Sequence, residues 1–332
     1  MQEELIITEG TEEKTDPKEF KRILKKDTGR AGWGLILYSV IMYLIVVVDA
    51  TWRAVSYMLR NGMEEMSEQM VEELFESGTS MILAVLIGLL VLWLFMGRRA
   101  PVKEMFAPKR RMTPAVFFQL LAVFMASQFV FGYVGELLEA GLNLIGYSAM
   151  ESFEQATGRS QTFSMLLYAS FAAPIAEELV YRGFVMEPLR RHGKLFAIVV
   201  SAVLFGVMHA NLPQSMFAVA VGLVLGYTAM EYSVTWAIAL HMTNNFVFAE
   251  LLSLAGEKLG ETGDAILSGS VILVFFIAGI IVLWKRRKAI REYIAENKME
   301  RGSCRYAFTT VPVLLFIVFN LLIAIFSLTP LT

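Results

Sequence analysis

Three short groups of polar and ionisable residues interrupt apolar stretches of this chain. They are Glu177-Glu178-Leu179-Val180-Tyr181-Arg182, Phe205-Gly206-Val207-Met208-His209 and His241-Met242-Thr243-Asn244-Asn245. Ionisable side chains are costly inside a bilayer, so where they persist they mark chemistry or a transport path. The chain has three histidines, and His209 and His241 are two of them. Hydrolysis of a peptide bond needs an activated water and a stabilised tetrahedral intermediate. Glu177 with His209 can deprotonate and orient the water. His241 with Asn245 can donate to the developing oxyanion. Glu177, His209 and His241 also make a two-histidine, one-carboxylate set suited to a catalytic Zn2+ with an open position. The residue types leave both chemistries open. Asn245 favours the first slightly, because an amide is a weak metal ligand and a useful donor.

Helical spacing assigns further roles. Glu178 and Arg182 are four apart, on one helix face, where they neutralise each other at depth. Glu177 is offset from them by about 100° of rotation, free to point elsewhere. One glutamate is therefore read as structural and the other as chemical. Phe205 shares a face with His209, and His241 shares one with Asn245. Pro174 opens the helix just before Glu177 and frees backbone groups there. His192, beside Arg191 and Lys194, reads as a plain loop residue. Gly222 and Gly226 form a GxxxG pair, which permits close helix approach and suggests packing rather than activity.

The elements that position these residues are membrane helices. Hydrophobic residues make up 56% of the chain, and the mean hydropathy is +0.57. The apolar residues come in long blocks, which fits a polytopic membrane protein better than a soluble one. A bilayer core of roughly 30 Å needs about 20 apolar helical residues. That ruler predicts an all-α helix bundle of nine spans near 32–51, 78–97, 115–136, 163–186, 195–211, 215–230, 234–255, 268–284 and 307–328. The fifth and sixth form a tight hairpin through Asn211, Leu212, Pro213 and Gln214, with Pro213 ending regular helix. Segments 53–77 and 137–160 read either as amphipathic pieces at the interface or as solvated acidic loops. Residues 1–30 are polar and carry no signal-peptide pattern, and the single cysteine, Cys304, falls in a basic loop and excludes an internal disulfide.

Lys and Arg orient the bundle. Lys21, Arg22, Lys25, Lys26 and Arg30 precede the first span, and Arg98, Arg99, Lys103, Lys109, Arg110 and Arg111 fill the loop after the second. Arg190, Arg191 and Lys194 follow the fourth, and Lys285, Arg286, Arg287 and Lys288 follow the eighth. Acidic residues take the alternate loops: Glu64, Glu65, Glu68, Glu72, Glu73 and Glu76 in one, Glu257, Glu261 and Asp264 in another. A cytoplasmic N-terminus places every basic loop inside.

The three motifs, read as EExxxR, FxxxH and HxxxN in that order, resemble the CPBP (Abi) family of intramembrane proteases, which includes the type II CAAX prenyl endopeptidases and bacteriocin-immunity proteins. The stretch Gly222-Leu223-Val224-Leu225-Gly226-Tyr227 also looks like the family's glycine-bearing helix. The resemblance covers residues 161–256. It implies water activation by Glu177 and His209, an oxyanion site at His241 and Asn245, and support from Glu178, Arg182 and Phe205. Glu231 departs from it, since a basic or neutral turn is expected there. The expected organisation is a polar cytoplasmic tail at 1–31, N-terminal membrane helices and interfacial segments at 32–160, a catalytic core at 161–256 and C-terminal helices at 257–332. The expected function is an intramembrane endopeptidase, by a glutamate or metalloprotease mechanism, multi-pass in a bacterial cytoplasmic membrane. Its expected partners are the lipid bilayer and a membrane-associated peptide or protein substrate, with no nucleic acid; Zn2+ is the one cofactor left open. The alternative is a non-proteolytic peptide-binding, immunity or transport protein using the same polar site.

Overall fold

The computed structural model describes residues 16–61, 78–97, 100–157, 160 and 162–331. Twelve helices are assigned among these residues. They are α1 (Pro17–Asn61), α2 (Gly78–Met96), α3 (Val102–Phe106), α4 (Pro114–Leu144), α5 (Met150–Thr157), α6 (Phe163–His192), α7 (Lys194–Met208), α8 (Leu212–Glu231), α9 (Val234–Glu257), α10 (Gly260–Glu296), α11 (Ser303–Phe308) and α12 (Val311–Phe326). Seven are long and apolar enough to cross a membrane, and α7 and α12 are shorter apolar helices. All nine expected spans fall on these nine helices.

The ends of the helices differ from the sequence reading for a physical reason. α1 begins at Pro17 and continues to Asn61, and α10 continues to Glu296. Hydropathy drops where the chain leaves the bilayer, but Lys, Arg, Glu and Ala are good helix formers, so the helix carries on into water. Residues 53–61 are thus the end of α1, and the rest of the expected 53–77 segment, with its glutamates, lies outside the described residues, as do Arg98 and Arg99. In the 137–160 segment, α4 runs on to Leu144 and is followed by the short α5, with Glu151 and Glu154 exposed. Between them Tyr147–Ser148 pairs antiparallel with Thr329–Pro330, a two-residue ribbon that ties the C-terminal segment to the α4–α5 link. Pro213 does not end a helix. It sits in the first turn of α8, where its missing N–H costs nothing, with Asn211 as the cap.

The buried core lies where α6, α7, α8 and α9 meet, around Tyr181, Met186, Phe196, Phe205, Leu225 and Leu240. Lipid tails are as apolar as these side chains, so close packing rather than water exclusion holds such helices together. α7 and α8 approach most closely at Gly206, where an added Cβ would lie 2.6 Å from the Ser215 carbonyl oxygen. Gly222 and Gly226 serve the same contact, facing Ala202 and Ile198. Gly206→Ala is expected to lower stability by about 1–3 kcal/mol through overpacking. Gly141→Ala on α4, where nothing lies within 4 Å, is the neutral control. Thermal unfolding in detergent compares the two; equal melting temperatures would refute the contact.

The basic segments gather at one end of the bundle. Glu231, its side chain 3% exposed, takes Arg110 at 3.2 Å, Lys194 at 2.8 Å and the Tyr293 hydroxyl at 3.0 Å. Glu187 takes Lys109 at 3.1 Å and Arg190 at 2.8 Å. The acidic residue that departed from the expected pattern is therefore the hub that fastens three basic connections. His192 is not a plain loop residue: its Nε2 lies 2.6 Å from Asp27 Oδ2, beside Arg191, and its ring packs edge-on against Phe20 and Phe196. It docks the N-terminal part of α1 onto the α6–α7 turn. Cys304 lies in α11 rather than in a loop, where burial pushes its thiol above the ordinary range.

Candidate active site

All three motifs sit at departures from regular α-helix. Glu177 and Glu178 close a short α-helical run, Ala173–Glu178, between two π-helical segments, Tyr168–Ala172 and Leu179–Met186. Pro174 explains the first of these. Its ring cannot pack against the carbonyl four residues earlier, and a wider turn relieves the clash, with the Ala173 N–H reaching back to Tyr168. His209 caps the C-terminus of α7, and the next residue, Ala210, holds φ at +48°, a left-handed conformation costly for a residue with a Cβ. His241 is followed by a third π-helical segment, Thr243–Leu251.

The centre of the site is a buried charge cluster. Glu178 Oε1 meets Arg182 Nη1 at 3.0 Å, and both side chains are fully buried. The same oxygen lies 3.0 Å from His241 Nδ1. Glu178 therefore does more than neutralise Arg182: it also orients an imidazole. Across that ring, His241 Nε2 faces Glu177 Oε2 at 3.8 Å, an ion-pair approach too long for a direct hydrogen bond. Phe205 joins the parts, with the Arg182 guanidinium over its ring at 4.2 Å and His209 and His241 edge-on at 4.9 and 6.0 Å. Arg182 reaches in addition to the Gly222 carbonyl at 3.4 Å, which links the cluster to the α7–α8 packing seam.

The direct contacts of these residues add detail that spacing did not give. Among the described residues no hydrogen bond or ion pair joins Glu177 to His209; the imidazole against Glu177 is His241. His209 Nδ1 bonds to the Phe205 carbonyl at 2.9 Å. A carbonyl only accepts, so Nδ1 carries the proton and the neutral ring leaves Nε2 as an acceptor. His241 and Asn245 were expected on one face of a regular helix, but the π-helical segment between them gives them separate partners. Asn245 Nδ2 donates to the Ala169 carbonyl at 2.9 Å, leaving its second N–H free for another acceptor.

Sequence reasoning missed the amides that fix Asn245. Gln128 Nε2 on α4 donates to Asn244 Oδ1 at 2.8 Å, and Asn244 Nδ2 donates to Asn245 Oδ1 at 2.9 Å. A glutamine in the middle of an apolar helix was the available signal, since an intramembrane amide needs partners. Glu178, Arg182, His241 and Asn244 are buried, whereas Glu177, His209 and Asn245 are partly accessible. The partly accessible groups lie over a buried layer that holds them.

Residues 159–247 match the protein family described as type II CAAX prenyl endopeptidase Rce1-like. This segment is similar to a CPBP-family domain. No curated protein and no solved structure matches the chain. The matched segment contains all three motifs, the first two π-helical segments and the start of the third, while Gln128 of α4, Arg110 of the α3–α4 link and Tyr293 of α10 reach it from outside. The expected two-histidine, one-carboxylate set is not gathered as a ligand group. Among the described residues no three His, Cys, Asp or Glu side chains, Glu177, His209 and His241 included, lie close enough together to hold a metal ion as they stand.

Proposed function

We propose that the protein is an intramembrane endopeptidase acting on membrane-associated proteins or peptides, with Glu177 as the base that activates water. The observation that carries this reading is the 3.8 Å gap between Glu177 Oε2 and His241 Nε2, backed by Glu178 and Arg182. Glu177 takes a proton from the water as its oxygen attacks the scissile carbonyl carbon. His209, with its proton held on Nδ1 by Phe205, accepts from the same water through Nε2 and orients it. The tetrahedral oxyanion receives the His241 Nε2–H and the free Asn245 N–H. In this form His241 is cationic, and its charge with that of Arg182 balances Glu177 and Glu178. Glu177 then passes its proton to the leaving amine as the carbon–nitrogen bond breaks. No step runs through a metal. We also take the basic end of the bundle as cytoplasmic.

Purified full-length protein in mild detergent, incubated with matched prenylated and unprenylated peptide libraries, tests the reading by mass spectrometry of products. Cleavage is expected to persist after chelation and dialysis. Peptide retained without any cleavage would replace the protease with a binding or immunity protein. Loss on chelation with recovery on adding zinc would replace the metal-free mechanism.

A further inference from the structure

At the basic end of the bundle, well away from the motifs, a basin of about 500 Å³ opens between α1, the C-terminal end of α2 and the start of α12. Lys25, Lys26, Arg30 and Trp33 of α1 line it, with Phe95 of α2 and Pro312 of α12 opposite. Arg30 forms its floor, donating to the Phe95 and Met96 carbonyls at 3.3 and 3.0 Å. The Lys25 and Lys26 side-chain ammonium groups have no hydrogen-bond or ion-pair partner among the described residues. The one acidic residue between Phe20 and Val40, Asp27, is taken by Arg191 and His192. The two lysine ammonium groups therefore keep their positive charge unpaired among the described residues.

Below it a second concavity of about 250 Å³ continues along the α1–α12 seam, sharing Trp33. Ile36, Ser39 and Val40 form one wall, and Leu315, Phe316 and Phe319 the other. Its surface is almost wholly apolar. From Lys26 to Val40 the helix descends about 21 Å, at 1.5 Å per residue. Charge, then tryptophan, then an apolar slot, in that order along the membrane normal, is the order of a phospholipid: headgroup, interface, acyl chain. A soluble anion would use only the basin, and an uncharged lipid would gain nothing from the lysines.

We propose that this basin and slot form a binding site for one anionic phospholipid of the surrounding bilayer, its phosphate at Lys25 and Lys26 and one acyl chain between α1 and α12. The lipid extends a seam joined at this level by the 3.2 Å contact between the Thr28 and Thr310 hydroxyls and by the packing of Gly29 and Gly32 against Pro312 and Val313.

Native mass spectrometry of the full-length protein in mild detergent tests the site, with phosphatidylglycerol, phosphatidylcholine of the same chains, and inorganic phosphate as probes. Wild type is expected to retain one phosphatidylglycerol in preference to phosphatidylcholine. Lys25→Gln with Lys26→Gln removes two near-surface charges and should weaken phosphatidylglycerol about thirtyfold, leaving phosphatidylcholine unchanged. Lys288→Gln with Arg291→Gln, an equal charge loss on the exposed part of α10, should leave both unchanged. Ser39→Phe, which fills the slot, should weaken both lipids. Equal retention of the two lipids by wild type, or unaltered phosphatidylglycerol binding in the lysine variant, would overturn the proposal. Displacement of phosphatidylglycerol by millimolar phosphate, with Ser39→Phe without effect, would reduce the site to an anion basin and overturn the lipid.

Discussion

Glu177→Gln is expected to lower peptide hydrolysis by a factor of about 10²–10⁴ while leaving the melting temperature in detergent near that of wild type. The substitution keeps the shape of the side chain and removes the atom that accepts the proton. Glu177 is partly accessible, and its ion-pair contact is the long 3.8 Å approach to His241. Little native structure therefore depends on its charge. Parallel measurement of turnover and unfolding separates the two effects. Wild-type turnover in the Gln variant would remove Glu177 from the mechanism, and a collapse in melting temperature would make it structural. His209→Gln bears on the same step from the other side, because it removes the Nε2 acceptor and leaves the Glu178–His241 pair untouched.

The second large effect is on folding. Glu178→Ala or Arg182→Ala each strands a charge that is fully buried in the wild type, a change that commonly costs about 3–5 kcal/mol. Glu178 is the more damaging of the two, since its loss also releases His241 from the 3.0 Å contact that orients it. The double variant should be milder than the sum of the singles, with a coupling of about 0.5–3 kcal/mol. Unfolding of the four proteins in detergent gives the cycle. Additive losses would show that the two residues do not pair. A rescue of stability in the double variant without a rescue of turnover would separate holding the cluster together from positioning the imidazole.

The helices were legible because the bilayer imposes a length and a polarity on each, and local composition reports both. The places of the nine apolar helices, the alternation of basic and acidic connections and the Glu178–Arg182 pair all follow from rules that act within a few turns of one helix. The ends of α1 and α10 escaped the same rules, because hydropathy marks the bilayer boundary and not the helix boundary. The role of Glu231 was equally hidden: its partners Arg110, Lys194 and Tyr293 come from three separate parts of the chain.

For the candidate site, the residue types were set by the sequence alone: two carboxylates, two imidazoles and an amide at fixed places on three helices. Which imidazole meets which carboxylate was decided only in three dimensions. The reason is geometric. A regular α-helix fixes the bearing of each side chain, but the π-helical segments around Glu177 and after His241 turn each later residue by an amount that spacing does not reveal. Helix crossing then does the rest. The α7–α8 approach at Gly206 and the bearing of α9 against α6 bring His241 to Glu178 and Glu177, while His209 turns to its own Phe205 carbonyl.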